Sequence, residues 1–216
     1  MTKILQNPRD EWSFKTHFLG AILSVFATAY MIINYIVVGD LGFGTLLSYV
    51  VFGLSLIALY SCSAIYHYSN GNEQVYTRLR KLDHSMIYVL IAGSYTPILY
   101  NGMPEPKSFI YLGIIWGFAL IGIIVKICWL SAPRWLYTSI YILMGWAIIF
   151  DIKSLASLPT LTIIFLALGG ISYTTGAVMY ILKKPNWFKK FGFHEIFHVF
   201  IMIGSLMHII SVMNLK

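Results

Sequence analysis

Residues 108–125 read SFIYLGIIWGFALIGIIV, eighteen consecutive positions without a charged side chain. At about 1.5 Å per residue such a run approaches the roughly 30 Å of a bilayer's hydrocarbon core. A stretch of this length and composition belongs across a membrane, where a helix satisfies its own backbone groups. The rest of the chain agrees: of its 216 residues 58% are hydrophobic and only 11% charged, with a mean hydropathy of +0.76. Too few polar side chains exist to cover a water-soluble globule, so soluble fold classes are excluded.

A window of about 20 residues finds seven candidate spans. They cover approximately 15–38, 42–66, 83–100, 108–129, 133–150, 160–182 and 193–213, the third and fifth being the shortest. Turn-rich joints separate them, among them Gly39-Asp40, Ser69-Asn-Gly-Asn-Glu and Asn101-Gly-Met-Pro-Glu-Pro, and none is long enough for a second domain. The expectation is an all-α, seven-transmembrane helix bundle forming one domain over 1–216. No small-residue cleavage site follows the first apolar run, so that span is expected to stay as an anchor.

The formal charge of +7 is distributed unevenly over the loops. The N-terminal tail and even-numbered loops, with their flanks, hold Lys3, Arg9, Lys15, Arg78, Arg80, Lys81, Lys126, Arg134, Lys183, Lys184, Lys189 and Lys190. The opposite side holds Lys107, Lys153 and Lys216. Twelve against three is a positive-inside bias that puts the N-terminus in the cytoplasm and the C-terminus outside. The basic charge is therefore topological, and no nucleic-acid partner is expected. Trp12, Trp129, Trp135 and Trp187 fall at the predicted cytoplasmic boundaries, as amphipathic indoles should. The segment Lys183-Lys-Pro-Asn-Trp-Phe-Lys-Lys190 suits anionic headgroups, although plain topogenic charge explains it as well. Cys62 and Cys128 read as small hydrophobes and not as a disulfide.

Ionisable groups inside spans are costly and hence functional candidates. His17 opens span one, His67 ends span two, Asp83 and His84 open span three, and His194 and His198 open span seven, all at the cytoplasmic end. His194 and His198, four residues apart, share one helix face and can offer two nitrogens to one metal. Ser63 and His67 repeat that spacing. With His67 from another helix, the trio would form a three-histidine zinc site whose fourth position is open to water. His208 shares the face but lies about 15 Å beyond His198, too far for the same ion. His194-Glu-Ile-Phe-His198 also satisfies H-E-x-x-H, but the i, i+1 offset turns Glu195 by about 100° from His194. Asp83 is the better candidate to hold and deprotonate a water.

Several motifs together resemble the hemolysin III proteins, within the progestin and adipoQ receptor group, to which the alkaline ceramidases are related. They are Asp10-Glu-Trp-Ser-Phe-Lys-Thr-His17-Phe-Leu-Gly, Ser63-Ala-Ile-Tyr-His67, Leu82-Asp83-His-Ser-Met-Ile-Tyr, Gly93-Ser-Tyr-Thr-Pro97 and Gly192-Phe-His194-Glu-Ile-Phe-His198. The resemblance implies that His67, His194 and His198 bind zinc, that Asp83 contacts the metal-bound water, and that Ser63 is the nearby hydroxyl. The N-terminal motif departs from the receptor members, which carry an asparagine before the first histidine where this chain has Ser13-Phe-Lys-Thr.

These readings lead to a multi-pass protein of the plasma membrane with membrane lipids as partners, and the resemblance to the group that includes the alkaline ceramidases implies, by analogy, a lipid amide or ester as substrate. Zn2+ would acidify a water, Asp83 would take its proton, and Ser63 would stabilise the oxyanion or orient the water. A receptor-like or membrane-homeostasis protein with structural zinc explains the trio equally well, with Asp83 as a fourth ligand. A pore-forming, cytolytic protein ranks last, because no ring of charges or polar stripe lines the spans.

Overall fold

The computed structural model describes residues 8–39, 42–186 and 191–215 and forms a helical membrane bundle, with no strand among the described residues. The helices are α1 (Glu11–Val38), α2 (Gly42–Tyr68), α3 (Glu73–Gly102), α4 (Lys107–Cys128), α5 (Arg134–Gly145), the short α6 (Ile152–Ala156), α7 (Thr160–Leu182) and α8 (Phe193–Met213). The segment Trp187 to Lys190, Lys3, Asp40 and Lys216 lie outside the described residues. Five helices, α1, α2, α4, α7 and α8, are each long and apolar enough to cross a membrane.

The other two depart from the expected spans. Helix α3 begins at Glu73, ten residues before the expected start at Asp83. Arg78, Arg80, Lys81 and Asp83 lower its hydropathy but not its helicity, and the Asn72 side chain caps it by accepting the Val75 N–H at 3.0 Å. Asp83 therefore lies three turns into a continuous helix and does not open it. Helix α5 stops at Gly145, well short of Phe150, and gives way to a 3₁₀ turn over Ala147–Asp151. The Tyr95 hydroxyl donates to the Gly145 carbonyl at 2.7 Å and accepts the Ile148 N–H at 3.1 Å. Backbone groups freed by the break are thus satisfied from α3, which lets a helix end inside the bundle.

Helix α4 packs on α3, and neighbours then follow in the order α3, α2, α1, α8, α7, α5, with α5 returning to α3. Six helices thereby enclose a centre and α4 sits outside on α3. The interior is built of aromatic and aliphatic side chains, among them Tyr49, Phe52, Leu56, Tyr88 and Leu99, with small polar residues interspersed. On α1, His17, Ser24, Thr28 and Met31 face inward while Phe18, Ile22, Phe26, Tyr30, Ile33 and Val37 are exposed. Lipid supplies no hydrophobic force between helices, so close contact and hydrogen bonds do the joining. Gly53 of α2 fits against Thr28 of α1, where any Cβ would collide. Half-buried indoles in the bundle also find partners: Trp116 donates to Thr96 Oγ1 at 3.2 Å and Trp146, just past the end of α5, to Thr174 Oγ1 at 2.9 Å. Cys62 and Cys128 are free thiols.

Candidate metal centre

Helix α2 delivers His67 in its last turn, one turn after Ser63 on the same face, while α8 delivers His194 and His198 in its first two turns. Each of the three offers a ring nitrogen within 4.8 Å of the others. His67 Nε2 and His194 Nε2 stand 3.3 Å apart. Two nitrogens at 2.0–2.1 Å from a tetrahedral ion would be separated by about 3.3 Å, so this pair has the spacing of ligands to one metal. His67 and His198 are almost fully buried, and the cluster could hold a metal ion.

The outward ring nitrogens of His67 and His198 are held as well. His67 Nδ1 meets Asp10 Oδ2 at 3.0 Å, and Arg9 donates to that same oxygen through Nε at 3.0 Å and Nη2 at 2.8 Å. The Arg9 guanidinium in turn lies over the rings of Tyr66 and Tyr76, whose hydroxyls are hydrogen-bonded to one another. Partial burial pushes the Asp10 carboxyl up, but the hydrogen bonds from His67 and Arg9 with the Arg9 charge outweigh it and hold the group down at about 2. His198 Nδ1 meets Thr16 Oγ1 at 3.2 Å, and His17 stacks on the His198 ring at 3.5 Å between centroids. A carboxylate or hydroxyl on the outer nitrogen fixes the tautomer that points the other nitrogen's lone pair inward.

Asp10 escapes a sequence reading, since an acid ahead of a first span looks like ordinary loop charge; it begins the N-terminal motif, and that was the available signal. Glu11 pairs with Lys15 on the surface. Glu195 does not face the trio. Its carboxylate accepts the Gly192 N–H at 2.8 Å and the Ser13 hydroxyl at 2.7 Å, capping α8 and tying it to α1. Asp83 is largely buried beside Ser63, which donates to its carboxylate, and it is not one of the three clustered residues.

A cavity of about 180 Å³ opens from this level, with Ser63, Asp83, His194 and His198 at one end and Ile98, Ile148 and Ile163 at the other. From Asp83 to Ile98 it follows α3 for fifteen residues, about 22 Å. Its lining is mostly apolar, with His208 partway along, where its ring packs against Gly169 and edge-on to Tyr173.

The family model for haemolysin-III related proteins matches residues 6–209 of the sequence. The chain belongs to the haemolysin-III family. It is 38% identical over 194 residues to the Hemolysin-3 homolog of Bacillus subtilis (strain 168), covering 88% of this chain and 86% of that one. To Hemolysin-3 of Bacillus cereus it is 36% identical over 209 residues, covering 96% and 92%. The adiponectin receptor protein of Drosophila melanogaster is 31% identical over 191 residues, covering 74% of this chain and 41% of the receptor. The trio of this haemolysin-III protein, its Asp10 anchor and the cavity mouth all fall inside the matched residues.

Proposed function

We infer that this protein is a zinc-dependent hydrolase of a lipid amide or ester, working at the cytoplasmic face of the plasma membrane. The observation that carries the reading is the convergence of three imidazoles, two of which, His194 and His198, line the end of a long apolar cavity. Zn2+ bound there would polarise a carbonyl and acidify a water from a pKa of about 16 towards about 7. The cavity takes the acyl chain and leaves its polar end at the level of Asp83. Asp83 removes the proton from the attacking water, a role suited to a carboxylate in an apolar pocket with one hydroxyl partner. Ser63, which donates to Asp83, orients the base. Membrane lipids are the partners, and the basic surface serves orientation, not nucleic acid.

The alternative of a non-enzymatic protein with structural zinc predicts a fourth protein ligand. Asp83 stands apart from the three-residue group, which favours the open site. Two relatives carry the name Hemolysin-3 or Hemolysin-3 homolog, and lysis through a pore is the third reading. The apolar cavity lining disfavours a water-filled pathway.

Metal content of the detergent-solubilised protein tests the reading, comparing wild type with His67→Ala and with His194→Ala plus His198→Ala. Near-stoichiometric zinc, lost in both variants, is the expected result. Asp83→Asn should then retain zinc while lipid amide or ester hydrolysis falls by about 100-fold or more. Zinc without any hydrolysis in wild type would leave the structural reading, and no zinc in unchelated wild type would remove both.

A further inference from the structure

A second polar cluster sits beside the cavity mouth, where α3, α4 and α5 meet. Lys126 of α4 is only 2% exposed, and its ammonium makes no hydrogen bond among the described residues. Its partner is the ring of Tyr137, with Nζ 3.6 Å from the centroid. A ring face engages one N–H direction, whereas an ammonium has three donors and no acceptor. Tyr88 of α3 packs on Gly122 of α4. One turn towards the cytoplasm on each of these helices lie Ser85 and Lys126, which puts the two residues at one level of the α3–α4 contact. Ser85 Oγ is buried without a partner.

Across Tyr137, His84 lies 5.6 Å away ring to ring, and Thr138 is the next residue of α5. His84 Nδ1 and Thr138 Oγ1 are likewise buried and unpaired, and both residues line the cavity. Four buried polar groups on three helices, each able to donate, thus lie around Tyr137 without a hydrogen-bond partner, and the Asp83 carboxylate stands 4.0 Å from His84 Nε2. Arg80 adds positive charge, while Asp83 acts on Lys126 only through space and accepts from Ser63. Burying a lone ammonium in a membrane is costly unless an anion pairs with it.

We propose that Lys126, Ser85, His84 and Thr138 form an anion subsite that takes the phosphate of a lipid headgroup whose chains occupy the cavity. A tetrahedral phosphate presents several acceptor oxygens at once, which suits a set of donors spread over three helices. The subsite borders an apolar cavity, so the phosphate arrives on a lipid. It rests on the reading of the cavity as a lipid site but not on zinc or turnover.

The test is lipid binding to the full-length, detergent-solubilised protein by native mass spectrometry, with dioleoyl phosphatidate and dioleoylglycerol as probes differing only in the phosphate. Wild type should favour phosphatidate by about tenfold. Lys126→Met should bring the two lipids within about twofold of each other, with dioleoylglycerol binding unchanged as the control for folding. Lys126→Arg should keep the preference. Equal binding of both lipids to wild type, or an undiminished preference in Lys126→Met, overturns the subsite and leaves the cavity reading standing. If neither lipid binds wild type, the cavity reading itself fails. Inorganic phosphate is the third probe: should it bind through Lys126 while phosphatidate shows no advantage, the lipid assignment is wrong.

Discussion

Two polar clusters lie on either side of the cavity mouth, and their inventories are opposite. On the α1–α2–α8 side, imidazole lone pairs converge and outer nitrogens are held by Asp10 and Thr16. On the α3–α4–α5 side, an ammonium, two hydroxyls and an imidazole nitrogen have no hydrogen-bond partner. Convergent acceptors suit a cation; convergent donors suit an anion. In a bilayer neither set is stable when left empty-handed, because no water compensates a buried polar group. The difference teaches that unpaired polar atoms in a membrane protein are informative by their sign as well as their number.

The sharpest break in this contrast comes from the ligands. His67→Ala should abolish tight zinc binding, lowering affinity by more than about 100-fold, because the remaining pair lies on one helix. Equilibrium dialysis against a zinc chelator measures it, and wild-type affinity in the variant would sink the three-histidine site.

Asp10→Asn comes next. An amide accepts less strongly and frees Arg9, so zinc affinity should fall by about 10–100-fold with the fold retained. Should affinity be unchanged by the same dialysis, Asp10 is only a surface partner of Arg9.

Glu195→Ala probes the H-E-x-x-H pattern. Loss of the α8 cap and of the partner to buried Ser13 should cost about 1–2 kcal/mol in thermal unfolding in detergent. Zinc stoichiometry should not change; a loss of zinc comparable to His67→Ala would return Glu195 to the metal.

The smallest effect is at the opposite end of the bundle, where Lys107 pairs with Asp151 and donates to Ser154. The Lys107 hydrogen bond is the first cause holding the Asp151 carboxyl below its ordinary value of 3.8. A lowered folded value means a stabilising contribution present above pH 3.8 and lost as the pH falls through the folded value. Asp151→Asn should therefore melt slightly lower than wild type near neutrality, and the gap should close in acid below pH 3.8. A gap that persists there would mean the ion pair is not its source.

Legibility in the sequence followed the range of the interactions involved. Spans α1, α2, α4, α7 and α8 were readable because hydrocarbon thickness sets helix length, a local property. His194 and His198 were readable because four residues make about one helical turn, and His67 because so few polar residues remain at that depth. The start of α3 was missed since charges lower hydropathy without stopping a helix. The end of α5 was missed because the Tyr95 hydroxyl that stabilises it comes from 50 residues earlier.

The amino-acid sequence by itself determined that the chain crosses a membrane repeatedly, which loops are basic, and that three histidines and an acid share one depth. Those are matters of composition, periodicity and charge, fixed before any two helices meet. Only tertiary structure decided that Asp10 serves His67 across 57 residues, that Glu195 caps its own helix, and that Lys126 is a buried cation. Lys126 looks like any other topogenic lysine until α3 and α5 close around it, because burial and hydrogen-bond pairing belong to neighbours that sequence spacing does not name.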